Sequence, residues 1–247
     1  GVHKAFGDKV VLDGIDLVIP TGQTTVVIGA SGSGKSVLLK HIVGLIEPDR
    51  GTVLVDGLAV SDLDYDGLRA LRQRIGFVFQ FAALFDSLTV EENLRLALEH
   101  RQLPADVVAE RVAQSLQLVE LEAIGDRYPA ELSGGMRKRV GIARAISLQP
   151  EYILYDEPTS GLDPVTTTVM DDLIVRAREA LGTTSVVVSH DLASVFRIAD
   201  RIAMLHEGRI LEEGTVAAMR ASEDPVVRGF IAGRARPDGA GLSGSEP

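Results

Sequence analysis

Cysteine and tryptophan are absent from this 247-residue chain, and aromatic residues make up only 4% of it. Without cysteine there can be no disulfide and no thiolate-held metal, while the compartment stays open. Long apolar runs are also missing. The longest are a handful of residues, as in YILY or SVVV, whereas spanning a bilayer takes about 20. A chain that crosses a membrane unaided is therefore not expected, and no charged-then-apolar leader opens it. Positive charge is in deficit: 25 Lys and Arg face 35 Asp and Glu, for a net charge of −10. Such a surface repels nucleic acid unless a local basic patch overrides it, so no nucleic-acid partner is expected.

The composition, 45% hydrophobic and 24% charged, suits one large domain or a core with a subdomain. The opening GVHKAFG sits close to an expected strand, and a further short strand is expected ahead of it. Residues 9–28 predict two strands, VVLDGIDLVI and TTVVIG, around the turn Pro20-Thr21-Gly22. The first alternates as a half-exposed strand does; the second is short and β-branched, as buried parallel strands are. A helix is expected from Ser36. TVLVDG and RIGFVFQ predict further strands, with Phe77 and Phe79 in the sheet core. From Thr89 to Leu148 the pattern turns helical, and Thr89 with Glu92 predicts a capping box. Strand patterns return at YILYD, TSVVVSH, RIAMLH and GRILEEG, with helices expected around 165–181 and 191–199. An α/β core interrupted by a helical insert results, with no solenoid-like repeat.

Residues 29–36, GASGSGKS, match G-x-x-x-x-G-K-[ST]. Glycine lets backbone N–H groups turn toward phosphate oxygens without Cβ clashes. Gly29, Ser31, Gly32, Ser33 and Gly34 would line the cradle, Lys35 would reach the β- and γ-phosphates, and Ser36 would ligate Mg²⁺. The motif follows an apolar strand and opens a helix, as its mechanism requires. YILYD ends in Asp156-Glu157: the first acid is placed to hold Mg²⁺, the second to orient or deprotonate water. His190 and Gln80 each end a strand pattern. If parallel, those strands deliver both residues to one edge of the sheet, where ligands of α/β folds sit. His190 could touch the γ-phosphate or the attacking water, and Gln80 suits a neutral sensor of water or metal. A second anion-binding pattern, LSGGM at 132–136, opens a basic helix carrying Arg137, Lys138, Arg139 and Arg144. Its charge is expected to lie beside triphosphate.

Together GASGSGKS, Gln80, LSGGM, YILYDE, SGLD and His190 resemble, in order, the motifs of the ATP-binding cassette (ABC) transporter ATPases. The resemblance implies a P-loop NTPase (RecA-like) α/β core with a mixed sheet, an N-terminal antiparallel β-subdomain and an inserted α-helical subdomain. It implies an ATPase domain over 1–232, the insert at about 81–148, and a Gly/Ser/Pro/Ala-rich tail at 233–247 expected to be disordered. It implies ATP and Mg²⁺ as cofactors, with Ser36, Gln80 and Asp156 toward the metal and Glu157, His190 and Gln80 catalytic. Phe6 would stack on adenine. Two copies would associate head to tail, so that Ser133, Gly134 and Gly135 serve the partner's nucleotide and Asp163 sits near the seam. Met136 departs from the usual Gln after LSGG.

A finer resemblance, to the Mce/Mla lipid-transport cassettes, rests on KSVLLKHIVGLIEPDRG, FQFAALFDSLTVEENL, LSGGMRKRVGIARAI, DEPTSGLDPVT and the ending DPVVRGFIAGRA. It implies phospholipid or similar apolar cargo and an integral membrane permease that holds the chain on the cytoplasmic face of the inner or plasma membrane. A small regulatory subunit and an Mce-type lipid-binding protein are further implied partners. Phe81 and Phe85 either pack beneath the helical insert or line a groove for a permease helix. A cassette importing polar solutes, a division-type ATPase without cargo, and a nucleotide switch without turnover are the alternatives; intact Glu157 and His190 speak against the last.

Overall fold

The structure, a computed structural model, describes residues 1–233. The tail expected at 233–247 lies, from residue 234 onward, outside the described residues.

Its centre is a six-stranded sheet in the order β10-β9-β3-β8-β7-β6. The strands are β3 (Thr24–Ile28), β6 (Ile75–Val78), β7 (Tyr152–Asp156), β8 (Thr184–Val188), β9 (Arg201–His206) and β10 (Arg209–Thr215). All pairs are parallel except β9 with β10. The β-branched composition follows from burial on both faces. Successive side chains alternate: Val26 and Ile28 of β3, Ile153 and Tyr155 of β7 and Val187 of β8 face one core. Val27, Leu154, Val186 and Val188 face the other. An antiparallel pair, β1 (Val2–Phe6) with β2 (Lys9–Ile15), covers the second face together with α1 (Lys35–Ile42).

Between β6 and β7 the chain contains no strand and runs through α3 (Val90–Leu98), α4 (Ala105–Leu118) and α5 (Gly134–Ser147). The capping box forms: Thr89 Oγ1 accepts from Glu92 N at 3.2 Å, and Glu92 Oε2 accepts from Thr89 N at 2.7 Å. After β7 come α6 (Pro164–Leu181), then α7 (Leu192–Ile198) after β8, as the sequence patterns predict.

Several details differ from expectation. TVLVDG yields only Leu54–Val55 (β4), paired with Leu58–Ala59 (β5), because Asp56 and Gly57 adopt left-handed φ and turn the chain back at once. Three helices escaped the sequence reading: α2 (Tyr65–Gln73), α8 (Val216–Arg220) and α9 (Pro225–Ile231). The last two are single-turn or double-turn pieces, and α2 is a nine-residue helix that sets only Leu68 and Leu71 against the core. β6 stops at Val78, so Gln80 lies in the turn beyond it. Phe77 packs against the core, but Phe79 is 40% exposed. Phe81, at 85% exposed, does not pack beneath the helices, and Phe85 is exposed as well. No described helix is long and apolar enough to cross a membrane.

Candidate functional site

Parallel strands deliver the chemistry-bearing residues to one edge of the sheet. Gly29 follows β3, Asp156 ends β7, His190 lies two residues past β8, and Gln80 two past β6. The loop from Gly29 to Gly34 turns into α1 through Gly34, whose φ of 105° suits only glycine. A Cβ there would also lie 2.9 Å from Val11 Cγ1, so the β1–β2 pair presses directly on the loop. Ser31 and Gly32 stay exposed at the loop's mouth.

Lys35 is buried, and its Nζ donates to the carbonyls of Gly29 at 2.9 Å and Ala30 at 3.0 Å. Burial lowers its pKa, opposed by Glu157, whose Oε1 is 3.7 Å away. Ser33 Oγ is buried without a hydrogen-bond partner. A phosphate oxygen would satisfy such an orphaned hydroxyl, and the first-turn amides of α1 are donors of the same kind. Ser36 Oγ donates to Asp156 Oδ1 at 2.7 Å. A hydroxyl beside one carboxylate gives hard oxygen donors, the set Mg²⁺ uses when phosphates and water complete its shell. Among the described residues no cluster of three His, Cys, Asp or Glu could hold a metal without such help.

Glu157 adopts φ 50°, a left-handed conformation that costs a non-glycine residue about 1–2 kcal/mol. It turns the side chain back over the sheet edge. His190 Nδ1 lies 2.8 Å from Glu157 Oε2. An ionised carboxylate only accepts, so the ring donates through Nδ1. Gln80 Nε2 is 3.5 Å from Ser160 Oγ, three residues past Glu157. The loop residues, Asp156, Glu157, His190 and Gln80 therefore converge.

The LSGG turn does not join them. Ser133 caps α5, accepting from Met136 N at 3.2 Å, and Ser133 and Gly134 are exposed. α5 packs on α3, α4, α6 and β6, whereas α1 packs on β7 and β8. Gly135 allows a close approach: a Cβ there would lie 2.6 Å from Thr166 Cγ2. Thr166 is fixed by Asp163, which accepts from Thr166 N at 3.0 Å and Thr166 Oγ1 at 2.5 Å. These bonds hold the Asp163 carboxyl below its usual range. Phe6, half exposed at the end of β1, sits with Lys4 Nζ 5.6 Å from its ring centroid.

The basic side chains of α5 each donate to backbone carbonyls of their own chain, and Lys138 does so at the turn that carries Glu157. Arg137 bonds Leu132 O at 2.7 Å, Arg139 Val119 O at 3.2 Å, and Arg144 Ala83 O at 2.5 Å and Ala82 O at 2.9 Å. Lys138 bonds Pro158 O at 3.0 Å and Ser160 O at 2.6 Å. Carbonyls left unpaired where the chain departs from regular structure attract such donors. Arg144 thereby stabilises the left-handed Ala82 and Ala83 just after Gln80. Buried Asn93 secures the same segment, accepting from Phe85 N at 2.8 Å and donating to Phe85 O at 3.1 Å. Neither role was visible in sequence, since a polar residue in a helical pattern carries no mark of its distant partner.

A family profile described as ABC transporter matches residues 12–160. The chain is 41% identical to the intermembrane phospholipid transport system ATP-binding protein MlaF of Escherichia coli, over 92% of this chain and 85% of that protein. It is 45% identical to the methionine import ATP-binding protein MetN of Caulobacter vibrioides, over 86% of this chain and 64% of that protein. Among solved structures, a dimeric post-hydrolysis state of the ATP-binding cassette MJ0796 bound to ADP and Pi matches with a TM-score of 0.78. Identity to it is 35%, covering 87% of this chain and 95% of that one.

Proposed function

This chain belongs to the ABC transporter family, as a nucleotide-binding subunit whose ATP hydrolysis is coupled to transport, and from that premise we propose that its cargo is phospholipid or a similarly apolar molecule. The observation that carries the cargo reading is the 41% identity to a phospholipid-transport ATPase along 92% of the chain. A permease supplies the membrane path and keeps this subunit on the cytoplasmic face. Exposed Phe81 and Phe85 give a short permease helix an apolar seat beside Gln80, so that nucleotide state reaches the membrane part. Helices α3–α5 move with that seat as a unit. An Mce-type lipid-binding protein and a small regulatory subunit complete the assembly.

The catalytic cycle we assign uses two copies head to tail. Lys35 and the amides of the Gly29–Ser36 loop bind the β- and γ-phosphates of ATP, and Phe6 stacks on adenine. Ser36 and Asp156, with Gln80, would hold Mg²⁺, whose charge, when bound, offsets that building on the phosphates. Glu157 orients a water and takes its proton as the water oxygen bonds to Pγ. The bond to the β,γ-bridging oxygen breaks, leaving ADP and phosphate. His190, hydrogen-bonded to Glu157, fixes the carboxylate's direction. Such phosphoryl transfer needs positioning and charge stabilisation above all. Ser133 and the Gly134 and Gly135 amides of the other copy supply part of both at a helix N-terminus.

The similarity to a methionine importer favours a second reading, a cassette for polar solutes. Native purification with the permease followed by lipid mass spectrometry decides between them. Stoichiometric phospholipid, released or moved only with ATP, supports the apolar cargo. A lipid-free complex whose ATPase rises with a polar solute overturns it.

A further inference from the structure

We propose that Lys138 is a positioning residue that links the two ATP sites of the dimer, tying the LSGG turn that serves one nucleotide to the catalytic turn that serves the other. The inference rests on the shared-site reading above and adds a route between the sites.

Lys138 Nζ makes four contacts with a single turn: Ser160 O at 2.6 Å, Pro158 O at 3.0 Å, Ser160 Oγ at 3.3 Å and Glu157 O at 3.4 Å. Among the described residues no carboxylate lies within ion-pair distance of it. An ammonium has three donors and no acceptor, so this turn uses its whole donor capacity. Burial lowers its pKa, with Glu157 opposing. The turn it grips is the one in which Glu157 holds left-handed backbone geometry. The other supports of that turn are Glu157 N donating to Val188 O at 3.0 Å and Ser160 N donating to Glu157 O at 3.2 Å. Ser160 Oγ also meets Gln80 Nε2. Lys138 thus touches the backbone of the proposed base and shares a hydroxyl with the proposed sensor.

The same helix begins at Ser133. Lys138 lies five residues on, about 7.5 Å along a stiff rod at 1.5 Å per residue. Gly135, pressed on Thr166, brings the start of α5 against α6, so α5 meets the Glu157–Thr166 stretch at two points. Docking of Ser133 on the partner's triphosphate displaces α5, and Lys138 carries that displacement to Glu157 of its own chain. A lysine suits this task better than arginine: a compact ammonium fits among oxygens converging from several directions, whereas a guanidinium presents a flat fork.

The test uses the full-length chain assembled with its permease. Lys138→Met keeps the apolar stem and removes the charge. We expect kcat to fall about tenfold with KM for ATP within about twofold, and the Hill coefficient to drop from about 2 to about 1. Lys138→Gln, which can still donate two hydrogen bonds, should fall between, and it serves if the methionine variant does not fold. In a Glu157→Gln background, ATP should still drive Lys138→Met copies into dimers. Wild-type kcat and Hill coefficient in both variants would overturn the proposal, as would a change confined to KM. Failure of only the double variant to dimerise would also overturn it, by making Lys138 a dimerisation residue. If Glu157→Gln alone does not dimerise with ATP, the shared-site reading falls and takes this inference with it.

Discussion

The Gly29–Ser36 loop and the Ser133–Gly135 turn both place glycines and serine at the start of a helix, yet their surroundings differ. At the first, Lys35 is buried among its own loop's carbonyls, Ser36 bonds Asp156, and Glu157 and His190 close over the edge. At the second, Ser133 and Gly134 stand exposed, and the neighbouring cations bond carbonyls elsewhere in the chain. One turn is surrounded by the groups that phosphoryl transfer needs, and the other offers only a cap and free amides. On the proposed shared-site reading, the second turn would meet a nucleotide whose base and lysine another copy brings.

The largest effect should come from damaging the complete half. Glu157→Gln should reduce turnover about 10²–10⁴-fold while isothermal titration still shows ATP binding. Normal turnover would remove Glu157 from the role of base and level the contrast between the two turns. A smaller effect tests how the second turn is built. Gly135→Val drives a branched side chain into Thr166 and should lower stability by about 1–3 kcal/mol, read from urea unfolding. ATP binding to the monomer should not change. An unaltered midpoint would mean that α5 and α6 can separate there at no cost.

The smallest concerns the contact between α6 and α7. Asp171 of α6 is buried and accepts from Ser194 Oγ of α7, and burial pushes its pKa up to about 6. With the folded pKa above the unfolded 3.8, the native state binds the extra proton between these values. Stability therefore falls as pH rises from 3.8 to about 6. Asp171→Asn should flatten that part of the wild-type profile, seen as a melting temperature less dependent on pH across the window. An identical pH slope in variant and wild type would assign the titration to another group.

Much of this was legible in sequence because the informative signals are local. GASGSGKS, the capping box at Thr89 and the β-branched strands declare themselves within a few residues; β7 spans all of YILYD, and β8 the first five residues of TSVVVSH. What escaped depends on contacts distant in the chain. Lys138 and Arg144 read as part of a basic run, and only the packing of α5 shows that they bond carbonyls 22 and 61 residues away. Phe79 alternates like a core residue, but β6 stops at Val78 and frees it. Helix α2 was missed although Leu68 and Leu71 lie at helical spacing and pack on the core: nine residues carry only a short stretch of that pattern, and the Asp64 cap, whose Oδ1 accepts from Gly67 N at 2.8 Å, shows only in the structure.

The most direct measurement of the shared nucleotide is light scattering of Glu157→Gln with and without Ser133→Arg, at saturating ATP. The account predicts an ATP-dependent dimer for the single variant. The double variant should remain monomeric with one ATP bound per chain. An equally stable dimer in the double variant, or loss of its ATP binding as a monomer, would contradict the account and return the serine to its own chain's site.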